Sequence, residues 1–207
     1  MSIDASFARA RSEALTLKIA AAGPERARVL DFIRERFITC FDAQIDDDTP
    51  TLVGAFDSAG VLIAGFGLRD ASSGFFCERY LGEAIEDALT RACRRPIQRH
   101  ETIEVTHLCA TRFGLLAQLL PVLPDALIAN GFRTLTCTAT DRLACFFERR
   151  GLRPITLAAA RADALPADMQ ARWGRYYAAN PRVLAGDLAT ARSRLSGAAA
   201  ATPPAQH

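Results

Sequence analysis

Thr102-Ile103-Glu104-Val105-Thr106-His107-Leu108-Cys109 reads as a β-strand: apolar and β-branched residues dominate, with one acid and one imidazole among them. The residues beyond this strand decide the fold. Gly114 marks a turn, and residues 115–129 carry a helical pattern broken by Pro121 and Pro124. Asn130-Gly131 suits a left-handed helix end. Residues 135–139 form a second strand, residues 142–150 a second helix, and Gly151 its stop. Two strands joined by such a crossover can leave a cleft between their ends, so chemistry is sought within residues 100–154.

Working outward, residues 15–20 alternate weakly as a first strand, and Pro24 opens a helix. Val29, Leu30, Phe32, Ile33, Phe37 and Ile38 recur in it at helical spacing. Asp46-Asp47-Asp48-Thr49-Pro50 ends that pattern. Two strands, 51–56 and 61–68, come next, joined by the hairpin signal Asp57-Ser58-Ala59-Gly60. Residues 77–93 read as helical, with Leu81, Ile85, Ala88 and Leu89 on one face. The order β-α-β-β-α-β-α-β-α predicts an α/β or α+β sheet, antiparallel in its first half and crossover-linked later. Residues 1–190 read as one domain. Residues 191–207, rich in Ala, Pro, Ser and Gly, read as a disordered tail.

The 207 residues are 50% hydrophobic and 23% charged, an ordinary balance for a domain with a sizeable core. A formal net charge of +2 gives no ground for a nucleic-acid partner. Lys18 is the only lysine. Base composition and a selected taste for anionic partners both account for the arginine excess. Residues 1–18 lack an apolar core of signal-peptide length, and no apolar run reaches the roughly 18 residues of a membrane span. Cysteines 40, 77, 93, 109, 137 and 145 lack metal-like spacing and read as core residues of a reducing compartment. A cytoplasmic protein without a metal is expected.

Five pieces carry a resemblance. They are Glu78-Arg79-Tyr80-Leu81 with Glu83 and Glu86; Glu104-Val105 with Leu108 and Ala110; and Thr138-Ala139-Thr140. Phe147-x-Arg149-x-Gly151-Leu152-x-Pro154 and Trp173-Gly174-x-Tyr176-Tyr177-x-x-x-Pro181-x-Val183 complete them. In this order the chain resembles the thermostable haemolysin family, whose members are similar to the GNAT acyltransferases and autoinducer synthases. The resemblance implies a GNAT-like mixed central sheet flanked by helices, with a C-terminal aromatic-containing extension. It further implies transfer of a fatty acyl group from a thioester to an amine such as an amino acid, with no tightly bound cofactor. Two departures matter. The family usually has glycine at Thr106 and asparagine at His107, and Thr106 gives up the freedom to take positive φ. Of the glycine-rich pyrophosphate loop of GNAT enzymes only Gly114 survives, with Thr111 and Leu116 at its other positions. That suits an acyl-carrier protein as donor better than coenzyme A.

On this resemblance Glu104 is a catalytic base, although an arginine salt bridge accounts equally for a carboxylate in a strand. In a regular strand His107 points away from Glu104; a bulge brings both to the cleft, where His107 can take an amine proton. The alternative is a hydrogen-bonded core histidine. Backbone N–H groups near Leu108 and Ala110 would hold the oxyanion. Arg112, Gly114, Thr140 and Phe147 would flank the donor; Phe146-Phe147 also reads as plain core. Glu78, Arg79 and Tyr80 would shape the acceptor pocket, or simply cap a helix. Trp173, Tyr176 and Tyr177 either line an acyl tunnel or pack the C-terminal segment. Arg91, Arg94, Arg95, Arg99 and His100 either dock an acidic carrier or form a solvated loop. A homodimer is compatible with the chain. A directly membrane-active protein and a GNAT-like binding module without catalysis are the competing functions.

Overall fold

The computed structural model describes residues 11–12, 15–20, 22–46 and 48–200. Its strands are β1 (Arg11–Ser12), β2 (Leu15–Ala20), β3 (Thr51–Phe56), β4 (Leu62–Arg69), β5 (Thr102–Ala110), β6 (Thr134–Ala139), β7 (Ile155–Ala159) and β8 (Arg182–Asp187). Among the described residues these eight form one sheet in the order β1-β2-β3-β4-β5-β6-β8-β7. The β5·β6 pair is parallel and the other neighbours are antiparallel. The helices are α1 (Pro24–Phe41), α2 (Glu78–Leu81), α3 (Ile85–Cys93), α4 (Leu116–Leu119), α5 (Leu123–Ala129), α6 (Asp141–Arg149), α7 (Ala167–Arg172) and α8 (Leu188–Ala200).

Strand alternation sends Val53, Phe66, Ile103 and Leu184 to one face, beneath α4, α5, α6 and α8. Leu52 and Phe56 go to the other, against Leu30, Ile33 and Phe37 of α1. Val183 and Ala185 meet α3 through Ile85 and Leu89 on that second face. Both expected glycine stops are present. Phe132 N–H donates to Leu127 O at 3.2 Å past Gly131 (φ 85), and Leu152 N–H to Phe147 O at 3.0 Å past Gly151 (φ 79).

Three details differ from the sequence reading. The helical stretch 77–93 is two helices, divided where Gly82 takes φ 68. Strands β7 and β8 were not legible: β7 is a largely exposed edge without apolar alternation, and β8 holds only three consecutive buried residues. Because β8 inserts antiparallel between β6 and β7, one crossover pair alone is parallel among the described strands. Finally, the segment read as disordered from residue 191 is helical to Ala200. Leu188 and Leu195, two turns apart on α8, are both buried in the main core, and that tethers the helix. The rest of the expected tail, residues 201–207, lies outside the described residues.

Candidate active site

The parallel ladder stops early. Thr102 through Val105 pair with Thr134 through Cys137, and residues 106–110 have no partner on β6. On its other edge β5 carries a bulge: Gly67 opposes Thr106 while Gly65 opposes Cys109, so β5 spends an extra residue. His107 holds that position with φ 54, a conformation few side chains adopt. Thr106 is not among the positive-φ residues, so the family's glycine is not required there. Gly67 is required opposite it, because a Cβ would sit 2.4 Å from Thr49 Cγ2 and 2.5 Å from Thr106 Oγ1. Beyond the bulge, Thr111 N–H donates to Ile63 O at 2.9 Å. Strand alternation then turns the N–H groups of Leu108 and Ala110 toward the open edge facing β6.

A cavity of about 630 Å³ occupies this opening and reaches both faces of the sheet. On the α1 side it is lined by Arg36, Phe37, Tyr80, Glu104, His107 and Trp173. On the α5 and α8 side the wall is aliphatic, with Leu116, Leu120, Leu123, Leu135, Leu184 and Leu188. Of the residues singled out from sequence, Glu104, His107, Leu108, Ala110, Thr140, Phe147 and Tyr80 line it. Arg112, Gly114, Glu78 and Arg79 are not part of the wall.

Glu104 is 1% exposed. Its Oε2 accepts the Phe76 N–H at 2.6 Å and its Oε1 the Cys77 N–H at 3.0 Å. Among the described residues no arginine forms a salt bridge with it. Arg69, its cross-strand partner, turns instead to Asp48, with Nη2 2.7 Å from Oδ2 and 2.8 Å from the Asp48 carbonyl. Burial raises the Glu104 pKa to about 7. The Phe76 N–H, the Arg69 charge and the Cys77 N–H oppose the rise. A carboxyl near pH 7 is half ionised where cells work, which is what a general base needs.

His107 joins Glu104 on the α1 face, as a bulge requires. Its ring stacks on Trp173 (centroids 5.9 Å apart, 11° between planes) and meets Phe37 edge-on at 5.5 Å. Its Nδ1 lies 3.5 Å from Thr49 Oγ1. Burial lowers its pKa to about 4; Asp48 pulls it up and Arg69 pushes it down. The imidazole is therefore neutral at pH 7, with a lone pair available, although the same burial makes it a weak proton acceptor. Its contribution to stability is complete above pH 6.5 and is lost as pH falls toward 4, because the unfolded chain takes up the proton first. The variant His107→Asn keeps a residue tolerant of positive φ and removes that loss. Urea melts should show the variant gaining on the parent by up to about 3 kcal/mol between pH 7 and pH 4. Parallel curves would refute the buried neutral imidazole.

Glu78 does not face the cavity. Arg99 Nη1 and Nη2 hold its two carboxylate oxygens, and its Oε1 also accepts the Ile85 N–H at 2.9 Å, so this group builds the α2–α3 corner. Arg99 is shared with Glu86 at 2.8 Å. Arg91 pairs with Glu83 and Arg95 with Asp187, so most of the basic cluster is neutralised within the chain. Tyr80 does reach the cavity, its hydroxyl 2.7 Å from that of Tyr177. Trp173 and Tyr176 pack on Phe37 and Phe41 of α1, and their rings line the cavity on that side; Tyr177 is not part of the wall. Sequence reasoning missed Arg36, Thr49 and the Phe76–Cys77 amides. Of these only Arg36, a charge beside the apolar face of α1, left any trace in the sequence.

A mixed sheet split at a bulged strand, with a cavity in the split, is the GNAT acyltransferase fold. FeeM, an N-acyl amino acid synthase from uncultured soil microbes, shares it with a TM-score of 0.62 at 17% identity, over 91% of this chain and 98% of that one. The AHL synthase LasI has a TM-score of 0.56 at 13% identity, over 88% and 95% of the two chains. An N-acetyltransferase from Lactobacillus plantarum, assigned only provisionally, gives 0.53 and 13%, over 84% and 99%. At these identities the likeness establishes the fold alone. The thermostable hemolysin model matches residues 19–192, and the chain belongs to that family. No curated protein matches it.

Proposed function

We propose that the protein is an acyltransferase that moves a fatty acyl group from a thioester to an amine such as an amino acid. One observation carries this reading: the split between β5 and β6 puts two proton acceptors, two free N–H groups and an aliphatic wall on a single cavity. The acyl chain lies along Leu120, Leu123 and Leu188, and the thioester carbonyl oxygen faces the N–H groups of Leu108 and Ala110. The acceptor arrives as an ammonium and loses one proton to Glu104 or His107. Its nitrogen then attacks the carbonyl carbon. As the tetrahedral intermediate collapses, the C–S bond breaks and nitrogen gives up a second proton. One proton ends on the departing sulfur and the other in solvent. No metal or tightly held cofactor enters the scheme.

The donor is more readily a carrier-protein thioester than coenzyme A. The loop at Gly114 runs through a single 3-10 turn into the four-residue α4, which is a poor cradle for a pyrophosphate. Arg142 and Arg153 on the cavity wall, with Arg112 outside it, suit one phosphodiester. The fold itself does not choose, since MesI is described as a CoA-dependent acyl-homoserine lactone synthase. Among the described residues no helix is long and apolar enough to cross a membrane.

The test is incubation with mixed acyl-carrier and acyl-coenzyme A thioesters and an amino-acid pool, read by thiol release and mass spectrometry. Amide products with released thiol are expected, more from carrier donors. No turnover across the panel would overturn the reading in favour of a binding module. Lysis of liposomes without any donor would favour a membrane-active protein.

A further inference from the structure

We infer that Arg36 is the receptor for a carboxylate on the acceptor, which makes the acceptor an α-amino acid rather than a simple amine. The catalytic meaning of this rests on the acyltransferase reading; the binding claim rests on the cavity alone.

Arg36 stands on the cavity wall, next to Phe37 and one turn before Cys40. Its neighbour Arg34 is engaged, with Nε donating to Ile45 O at 3.0 Å and a guanidinium nitrogen 3.6 Å from Asp31. Arg36 is not engaged. Its Nε is buried without a hydrogen-bond partner. Among the described residues it forms no salt bridge. A guanidinium presents a planar fork that fits a carboxylate, and a buried N–H without an acceptor is an uncompensated cost that such a ligand removes.

The surroundings fix what the ligand is. Arg36 lies close enough to Cys109, on the bulged half of β5, for its charge to act on that thiol. Glu104 lies at the other end of the bulge. The wall near them is aromatic and uncharged: Phe37, Phe41, Trp173 and Tyr176. Arg36 and the Glu104 carboxyl line the same cavity, a pairing that suits a ligand carrying both a carboxylate and an ammonium. Two other arginines of the wall are engaged. Arg142 covers the Phe113 ring at 4.3 Å, and Arg194 donates to Gly151 O at 2.8 Å.

Trp173 is the only tryptophan of the chain, so its fluorescence reports binding without turnover. Titration with L-phenylalanine and L-leucine should show affinities about ten- to a hundredfold above those of phenethylamine and isoamylamine, which lack the carboxylate. Arg36→Gln, with an unchanged melting curve, should abolish that preference, and Arg36→Lys should retain part of it. Should Arg36→Gln not fold, the lysine variant decides: an undiminished preference counts against the proposal. Equal affinities for amino acid and amine in the parent protein would overturn it, as would no response to any amino acid. Carboxylate-dependent binding without acyl transfer would overturn the catalytic reading and leave Arg36 in place.

Discussion

Glu104→Gln is expected to lower kcat about 10²- to 10⁴-fold, the usual worth of a positioned general base, and to cost some stability because one of the Phe76 and Cys77 N–H groups then faces an amide NH2. The amide keeps the shape of the carboxyl group but cannot accept a proton from the amine. In the parent, the rate should climb as Glu104 ionises around pH 7, and in the variant that limb should vanish. An unaltered rate would remove Glu104 from the chemistry. Thiol release with no dependence on this residue would point to His107 alone. The same substitution has a thermodynamic signature. The folded-state pKa of about 7 exceeds the ordinary 4.5, so the native protein keeps a proton that the unfolded chain sheds. The group's stabilisation is complete below pH 4.5 and is lost as pH rises to 7. The parent should therefore lose up to about 3 kcal/mol relative to Glu104→Gln across that window. This slope opposes the one expected from His107. The two windows overlap, so the parent's own stability should vary little with pH there, and each single variant should expose the other group's limb.

The second large effect is structural. Gly174 takes φ 48, and a Cβ there would sit 2.3 Å from Asp42 O and 2.5 Å from Phe41 O, both backbone atoms with nowhere to go. The next residue is already docked: Arg175 N–H donates to Phe41 O at 2.7 Å. Gly174→Ala thus combines left-handed strain with a clash against the end of α1, together about 2–4 kcal/mol. The cost falls on the site, because this contact seats Trp173 against Phe37 and His107. A lower urea midpoint with a shifted Trp173 emission maximum is the expected result. A variant within about 0.5 kcal/mol of the parent would show that α1 and the aromatic segment are not locked together.

Much of the fold was legible because residues 100–154 punctuate themselves. Prolines 121 and 124 divide one helix, and glycines 131 and 151 end its second half and α6 in the conformation only glycine takes freely. Glu104 was legible as an acid in an apolar strand. How it is held was not: the partners are backbone amides of Phe76 and Cys77, which carry no side-chain signature. Glu78 misled for the opposite reason. It belongs to a family motif, yet Arg99, twenty-one residues on, claims it, and such a pairing has no local trace. Strands β7 and β8 escaped because one is an exposed edge and the other holds only three consecutive buried residues. Residue 107 was noted for its chemistry, while its backbone strain became visible only with the register of β4 against β5.

The cavity through the sheet also changes what kind of discrimination is available. Its aliphatic wall is continuous with the protein's own core: Leu116, Leu120, Leu123, Leu184 and Leu188 are residues that would otherwise pack on one another. An acyl tail lying there is a removable piece of hydrophobic interior. Each methylene it adds contributes about 0.8 kcal/mol, roughly a fourfold preference per carbon. Preference should therefore climb smoothly with tail length and break off abruptly once the tail meets the end of the cavity. The protein would measure its donor as a core measures a side chain, chiefly by volume.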